Sequence, residues 1–293
     1  MNIDLVVQVG EIARPGETII GQHLQKLPGG KGSNQAAAAA MLGTDVTLVA
    51  VVGDDDFGTF LIESAENNGV DVSLVQRHPQ EPTGTAFISV SDSGENSIVV
   101  VPGANACLTS KIAETTLQSL GQFEVMSTCL EIPTQTILTS FRIAQMCGAK
   151  TVLNASPYTT DCLPLFELTD YLIVNEHEIS QIVQVEIDDE TRLRNSLFKL
   201  GIRHAIITLG SRGAMYLNCE DSSQAVLKFP TPLIQVIDTT GCGDAFAGAF
   251  ASEIADGRSI KDALTLAVRA GSFAATRFGA QSSYGTKSEI LEL

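Results

Sequence analysis

The feature that most constrains the fold is a repeated alternation, from about Val46 onward, of short β-rich apolar runs with segments of helical spacing. Strands that alternate with helices usually pair in parallel, because each crossover brings the chain back to the same end of the sheet. The pattern therefore predicts one α/β domain over residues 1–293, with a doubly wound, mostly parallel sheet and helices on both faces. The predicted strands are Val46–Val52, Val125–Leu130, Thr151–Asn154, Tyr171–Val174 and Ala205–Leu209, and the predicted helices are Phe57–Asn67, Thr134–Cys147, Glu176–Val183 and Thr191–Leu200.

Two regions interrupt this alternation. Residues 5–28 contain short alternating runs around Pro15-Gly16. Residues 83–101 are typical of a hairpin, with Thr85–Val90 and Ser97–Val101 flanking a turn at residues 92–95. These regions predict a small antiparallel sheet inserted into the domain, placed to act as a lid over a site or as a dimer surface.

Charge and apolar content exclude several classes of protein. The chain has 34 acidic and 18 basic residues, a net charge of −16, whereas nucleic-acid binding needs a basic face. No apolar run reaches the roughly 18 residues that span a bilayer, and Met1–Asp4 lacks the basic start of a secretory signal. The six cysteines are scattered, without metal-ligand spacing. We expect reduced thiols, no nucleic-acid or membrane partner, and a cytoplasmic location.

The most informative segment is residues 238–246, Asp-Thr-Thr-Gly-Cys-Gly-Asp-Ala-Phe. An apolar run predicted as a strand, Leu233–Ile237, precedes it, and an Ala-rich helix, Ala245–Ala255, follows. Its glycines and the helix N-terminus together form an anion hole suited to phosphate. Asp244 in the first helical turn would act as a general base on an attacking hydroxyl. The residues alone leave open a plain aspartate cap after a glycine turn.

A second glycine-rich turn, residues 29–36 (Gly-Gly-Lys-Gly-Ser-Asn-Gln-Ala), also leads into a helix. It lacks the spacing of a Walker A motif. Glycine allows a ligand to approach the backbone closely, and Lys31 and Asn34 are suited to the hydroxyls of a polyol. A plain helix start explains the same residues.

The two segments together, in this order, resemble the two signatures of the ribokinase-like (PfkB) family of sugar kinases, and the resemblance covers essentially the whole chain. It extends to Gly103-Ala104-Asn105, Asn175-x-x-Glu178 and Thr208-Leu209-Gly210-Ser211-Arg212-Gly213. The resemblance implies an ATP-dependent kinase that phosphorylates D-ribose at O5. It also implies a homodimer formed through the β lid.

The resemblance assigns roles residue by residue. Asp244 would be the catalytic base, beside an anion hole of Gly241, Cys242 and Gly243. The residues that would bind the sugar are Asn2, Asp4, Gly30, Lys31, Gly32, Ser33, Asn34 and Glu131. The residues that would bind ATP are Asn175, Thr208, Leu209, Gly210, Ser211, Arg212, Gly213 and Gly243.

Two metal ions are implied in the same way. Asn175 and Glu178 would organise Mg²⁺ indirectly, through its waters, which suits an ion that keeps much of its hydration shell. A loop matching the family's monovalent-cation site would hold K⁺, mostly through backbone carbonyls. Its residues are Asp238, Thr240, Ala274, Arg277, Gly279 and Ser283.

One departure concerns the start of the chain. Family members usually have a strand several residues before the N-x-D motif, which here lies at Asn2–Asp4. We expect the absence of that strand to expose neighbouring strand edges. Two alternatives stay open: a kinase of the same family acting on another sugar or a nucleoside, and a truncated, weakly active sugar-binding homologue.

Overall fold

The computed structural model describes all 293 residues, in twelve strands and nine α-helices. The strands are β1 (Asn2–Val9), β2 (Leu24–Gly29), β3 (Ala50–Gly53), β4 (Val75–His78), β5 (Gly84–Ser91), β6 (Asn96–Val101), β7 (Val125–Cys129), β8 (Lys150–Asn154), β9 (Tyr171–Asn175), β10 (His204–Thr208), β11 (Ala214–Asn218) and β12 (Leu227–Phe229). The helices are α1 (Lys31–Met41), α2 (Asp56–Asn67), α3 (Ser110–Leu120), α4 (Thr134–Met146), α5 (Glu176–Ile182), α6 (Glu190–Lys199), α7 (Cys242–Ala255), α8 (Ile260–Ala274) and α9 (Lys287–Glu292).

The largest sheet has six strands in the order β12-β11-β10-β9-β8-β7. Strands β7 to β10 are parallel, and β11 and β12 add an antiparallel edge. Successive residues of β8 face opposite cores. Val152 lies in the same buried cluster as Phe250 of α7, and Leu153 lies in the same buried cluster as Phe141 of α4. Helices therefore cover both faces, which confirms the predicted α/β fold class.

A second sheet of four strands has the order β2-β1-β5-β6. The β5–β6 pair is antiparallel, with Val90 opposite Asn96 beside the turn, so the predicted hairpin is confirmed. The predicted small antiparallel sheet is present as the β1–β2 and β5–β6 pairs, and β1 and β5 join these two pairs in parallel. The long crossover through α1 and α2 allows β5 to enter in the same direction as β1.

Strands β3 and β4 form a third, two-stranded parallel sheet. The predicted strand Val46–Val52 is shortened, since only Ala50–Gly53 is regular and Thr47 makes a single bridge to Asp71. Strand β3 pairs only with β4, and β7 pairs only with β8. Strands β3 and β7 therefore each have one unpaired side.

The prediction of a strand over Leu233–Ile237 is wrong. These residues are irregular, and the side chains of Leu233, Val236 and Ile237 are exposed. The segment is part of no sheet, and the N–H of Ile237 donates to the carbonyl of Ala275 at 2.8 Å. The helix after the glycine turn begins earlier than predicted, at Cys242.

All six cysteines are free, as expected from their scatter. No group of three or more His, Cys, Asp or Glu side chains is arranged to hold a metal ion. None of the helices has both the length and the apolar content needed to cross a membrane.

Candidate active site

Helix α7 starts at a glycine turn with no side-chain cap. Gly241 precedes it with a φ of 74°, and a Cβ there would lie 2.7 Å from the Cα of Ala280 and 2.8 Å from the hydroxyl of Tyr284. Only glycine fits this conformation and this close approach. The N–H of Cys242 donates to Thr239 at 3.3 Å, whereas the N–H groups of Gly243 and Asp244 have no acceptor in the protein. Free N–H groups at a helix N-terminus attract an anion.

Asp244 lies in this first turn and is 6% exposed. Its Oδ2 accepts a hydrogen bond from Nδ2 of Asn34 at 2.9 Å, and its Oδ1 accepts one from Nε2 of Gln35 at 3.2 Å. Burial raises the pKa of Asp244, while the Lys31 ammonium and the two amides favour its charged form. A buried carboxylate of raised pKa, held by amide donors, is suited to accept a proton.

The N-terminus of α1 contacts the start of the chain. Gly30 has a φ of 88°, and a Cβ there would lie 2.7 Å from the backbone nitrogen of Asn2 and 2.9 Å from the Cα of Met1. A Cβ on Gly29 would overlap the carboxyl group of Asp4. The two glycines therefore let the turn pack directly on β1, which brings Asp4 and Lys31 to one side of it.

Asp4, Lys31, Glu131 and Asp244 form a cluster of charged side chains. The Oε2 of Glu131 accepts a hydrogen bond from the backbone N–H of Lys31 at 2.8 Å. Burial and the negative charges of Glu131 and Asp244 raise the pKa of Asp4 to about 7. Burial lowers the pKa of Lys31, but the surrounding carboxylates, Asp244 first, outweigh it and the net shift is upward. A cluster of acceptors around one cation is suited to bind the hydroxyls of a polyol.

Three amide side chains to which the sequence analysis gave no role support this cluster. Asn105 donates through Nδ2 to Oδ1 of Asn2 at 2.7 Å, and Gln281 donates to Oδ1 of Asn34 at 3.0 Å. Gln35, described above, is the third. Asn105 and Gln35 stand inside motifs that the sequence analysis quoted, but no sequence signal marked Gln281.

Apart from Gly243, which lies in the first turn of α7, the residues predicted to bind ATP lie at or just after the carboxyl ends of two adjacent strands. Thr208 ends β10 opposite Asn175, which ends β9. The turn after β10 is closed by a hydrogen bond from Leu209 N–H to the Gly213 carbonyl at 2.8 Å, and Arg212 pairs with Glu176. In open α/β sheets ligands bind outside the carboxyl ends of the strands.

Asn175 and Glu178 form a reciprocal capping box at the start of α5. The N–H of Glu178 donates to Oδ1 of Asn175 at 2.9 Å, and the N–H of Asn175 donates to Oε2 of Glu178 at 2.8 Å. The Glu178 carboxylate is buried and still contributes to raising the pKa of Lys31. It is therefore electrostatically coupled to the polyol cluster, although no hydrogen bond joins the two.

The segment before α7 and the segment after α8 meet at Asp238. Its Oδ2 accepts a hydrogen bond from the N–H of Gly279 at 2.9 Å, and its Oδ1 accepts from the N–H and hydroxyl of Thr240 at 2.9 and 2.7 Å. Nearby, Ser283 is fully buried and its hydroxyl donates to the carbonyl of Ala280 at 2.7 Å. Carbonyl and carboxylate oxygens thus gather beside the glycine turn of α7.

Comparison with known proteins was consistent across sequence and structure. A sequence profile described as pfkB family carbohydrate kinase matches residues 1–287. The chain is 34% identical over 295 residues to a ribokinase of Haemophilus influenzae, covering 100% of this chain and 95% of that protein.

Two solved structures share the fold. A ribokinase of Thermotoga maritima superposes with a TM-score of 0.89 at 32% identity, covering 99% of this chain and 95% of the other. A ribokinase of Arabidopsis thaliana, solved as a complex with ribose and ATP, superposes with a TM-score of 0.87 at 28% identity and the same coverage of both chains.

Proposed function

The chain belongs to the pfkB family of carbohydrate kinases, and from this membership we propose that it transfers the γ-phosphoryl group of ATP to O5 of D-ribose. The products are ADP and D-ribose 5-phosphate. The observation that carries the proposal is the position of Asp244, buried at the uncapped N-terminus of α7 and held by Asn34 of α1. This arrangement joins a proton acceptor to an anion hole within one helical turn.

The sugar binds in the cluster between β1, α1 and the end of β7. Asp4 and Glu131 accept hydrogen bonds from ribose hydroxyls, with Asn2 beside them. Lys31 and Asn34, with the backbone of Gly30, Gly32 and Ser33, complete the pocket. The electrostatic coupling of Asp4, Glu131, Lys31 and Asp244 supports a single pocket for these groups.

The transfer is an in-line displacement at the γ-phosphorus. Asp244 takes the proton of the O5 hydroxyl while O5 forms a bond to phosphorus, and the bond to the β–γ bridging oxygen breaks to release ADP. The anion hole of Gly241, Cys242 and Gly243 stabilises the charge of the transferred group. Its free donors are the N–H groups of Gly241 and Gly243, with that of Asp244 beside them, since the N–H of Cys242 donates to the carbonyl of Thr239.

The residues at the ends of β9 and β10 hold the nucleotide. Thr208, Leu209, Gly210, Ser211, Arg212 and Gly213 contact ATP in this proposal. Asn175 and Glu178 would hold Mg²⁺ through its waters, and the ion would supply charge neutralisation at the phosphates. The donor set fits, because one buried carboxylate without a three-acid cluster suits an ion bound mainly by waters and substrate phosphates.

The loop around Asp238 has oxygen ligands that are suited to a monovalent cation. It offers neutral carbonyl oxygens and one carboxylate whose oxygens already accept hydrogen bonds from the loop. A bound K⁺ would stabilise the backbone that leads into Gly241.

Homodimerisation through the four-stranded sheet is part of the proposal. It is supported by the exposed apolar residues Phe87, Ile98, Val99 and Val100 of β5 and β6. The six free cysteines support a cytoplasmic location.

The test is a coupled assay of ADP release with D-ribose, 2-deoxyribose, fructose and a nucleoside, together with calorimetric titration of each. ADP release with ribose, and a phosphate found on O5 of the product, is the expected result. Turnover of another acceptor in preference to ribose would assign a different substrate of the same chemistry. Ribose binding without turnover of any acceptor would favour the sugar-binding homologue.

A further inference from the structure

The hydroxyl of Tyr284 is hydrogen-bonded to the backbone carbonyl of Gly241 at 3.2 Å, and the two residues are 43 positions apart in the chain. A carbonyl oxygen can only accept, so the phenol is the donor. Tyr284 is buried, and Gly241 is the residue immediately before α7, where the anion hole lies. The tertiary fold therefore brings one buried donor onto the backbone of the anion hole.

Small residues on three segments make the space for this ring. Tyr284 lies in one buried cluster with five alanines, namely Ala37, Ala38, Ala245, Ala274 and Ala280. A Cβ on the next residue, Gly285, would overlap the ring of Phe273, so glycine lets the chain pass close to α8 at this point. Close packing of this kind holds a side chain in one position. The hydroxyl of Tyr284 is thus fixed against Gly241 by the packing of its ring.

The contact restrains the peptide group that joins Gly241 to Cys242. Its carbonyl oxygen accepts from the N–H of Ala245 at 2.8 Å as well as from Tyr284, so both acceptor positions of that oxygen are used. The N–H at the other end of the same peptide donates to the carbonyl of Thr239 at 3.3 Å. The free N–H groups of the anion hole, those of Gly241 and Gly243, lie on either side of this peptide. Their directions therefore depend on how firmly it is held.

The turn that carries Tyr284 is anchored by other groups. Nε2 of Gln281 donates to Oδ1 of Asn34 at 3.0 Å, and Oε1 of Gln281 accepts from Nδ2 of Asn68 at 3.0 Å. The hydroxyl of Ser283 donates to the carbonyl of Ala280 at 2.7 Å. The turn therefore keeps its place without the hydroxyl of Tyr284, and removal of that hydroxyl acts mainly on the peptide after Gly241.

We propose that Tyr284 is a positioning residue for phosphoryl transfer, whose hydroxyl orients the Gly241–Cys242 peptide so that the flanking N–H groups point at the transferred phosphoryl group. The inference rests on the proposed kinase function, because the anion hole has this role only if a phosphoryl group passes through it. Donors that are already oriented stabilise the charge of the transition state without reorganising. Tyr284 itself contacts neither ribose nor ATP, so its effect is on kcat and not on ribose binding.

The test is Tyr284→Phe, which removes one oxygen atom and keeps the ring. Loss of one neutral hydrogen bond should lower kcat about three- to tenfold, with the KM for ribose unchanged. Tyr216→Phe is the matched control, because it removes another tyrosine hydroxyl, which lies 2.9 Å from Nδ1 of His204 in the six-stranded sheet. Both variants should have a slightly lower Tm, but only Tyr284→Phe should have a lower kcat.

A second measurement separates positioning from packing. Aluminium fluoride with ADP and ribose mimics the phosphoryl group in transfer, and a group that acts on the transition state must affect the binding of such a mimic. Its affinity for Tyr284→Phe should fall by about the same factor as kcat, whereas calorimetry should find the affinity for ribose alone unchanged. Tyr284→Leu, which lacks both ring and hydroxyl, should lose at least as much kcat. Circular dichroism and Tm establish that each variant is folded.

The outcomes distinguish this inference from the function on which it rests. Wild-type kcat in either folded Tyr284 variant would overturn the inference and leave the kinase function standing. An equal fall of kcat in Tyr216→Phe, or a fall of ribose affinity that matches the fall of kcat, would also overturn it, because the hydroxyl would then act through general packing. If the wild-type protein released no ADP with any acceptor, the proposed function would fail, and this inference with it.

Discussion

The side chain of Asn34 donates a hydrogen bond to Asp244 at 2.9 Å, although the two residues are separated by 210 positions in the chain. The contact joins the first turn of α1 to the first turn of α7, so the two glycine-rich segments form one site. The neighbouring Gln35 donates to the other carboxylate oxygen, so the two amides together orient the carboxylate of Asp244.

The first prediction concerns the proposed base. Asp244→Asn keeps the size of the side chain but removes the proton acceptor, so kcat should fall by about 10²–10⁴-fold. Calorimetric binding of ribose should remain measurable. Asp161→Asn, an exposed aspartate outside the site, is the matched control. If the Asp244 variant kept most of the wild-type kcat, this residue would have no part in the proton transfer.

The second prediction concerns the amide that holds this base. Gln35→Leu removes the donor at 3.2 Å from Oδ1 of Asp244, and loss of a hydrogen bond to the charged form raises the pKa of the carboxyl group. The acidic limb of the kcat/KM profile should therefore move to higher pH, with a smaller effect on the plateau. If the variant lowered the plateau of kcat/KM without moving the acidic limb, Gln35 would act only through packing.

The third prediction is a pH dependence of stability. Burial and nearby carboxylates raise the pKa of Asp4 from 3.8 to about 7, so the folded state binds more protons than the unfolded state between these values. Stability should therefore fall as pH rises from about 4 to about 7 and level off above that range. At ~1.4 kcal/mol per pKa unit the change amounts to a few kcal/mol, reduced by residual solvent at this partly buried site.

Asp4→Asn isolates this contribution from the other titrating groups. Urea unfolding at pH 5 and pH 7.5 should show a smaller loss of stability in the variant than in the wild type. Equal losses in both proteins would assign the pH dependence to another carboxyl group of raised pKa, such as Asp244.

The fourth prediction separates close approach from backbone strain. Gly30→Ala and Gly43→Ala both place a Cβ at a positive φ, 88° and 94°, but only the first meets other atoms within 4 Å. Strain alone should cost Gly43→Ala about 1–2 kcal/mol of unfolding free energy. Contact with β1 should cost Gly30→Ala a further roughly 1–3 kcal/mol and weaken ribose binding. If Gly30→Ala and Gly43→Ala changed stability and ribose affinity equally, the turn at Gly30 would not depend on its close contact with Met1 and Asn2.

The fifth prediction concerns the loop at Asp238. Replacing Na⁺ by K⁺ at constant ionic strength should raise kcat, and Asp238→Asn should reduce the response, because its carboxylate holds Thr240 and Gly279 in place. Tris chloride provides the medium without an alkali cation. The same rate in all three salts would remove the monovalent cation from the proposal.

The sequence by itself determined the fold class and the chemistry of the site. Alternation of buried apolar runs with helical segments requires a parallel sheet covered on both faces, because a strand without polar positions must be buried on both sides. Gly30 and Gly241 also indicate the site directly, because at each position the backbone passes so close to other residues that no side chain larger than that of glycine fits. Both signals are local, and each can be interpreted from neighbouring residues alone.

Only the tertiary structure decided which distant groups meet. The partnership of Gln281 with Asn34 depends on how the chain after α8 folds back onto α1, and no local pattern encodes that contact. Leu233–Ile237 has the composition of a strand but no neighbouring edge, so its backbone bonds to Ala275 instead. Strands β3 and β7 have one partner each, and neither pairing could be predicted from one segment, because a single segment specifies only its own preference for being extended.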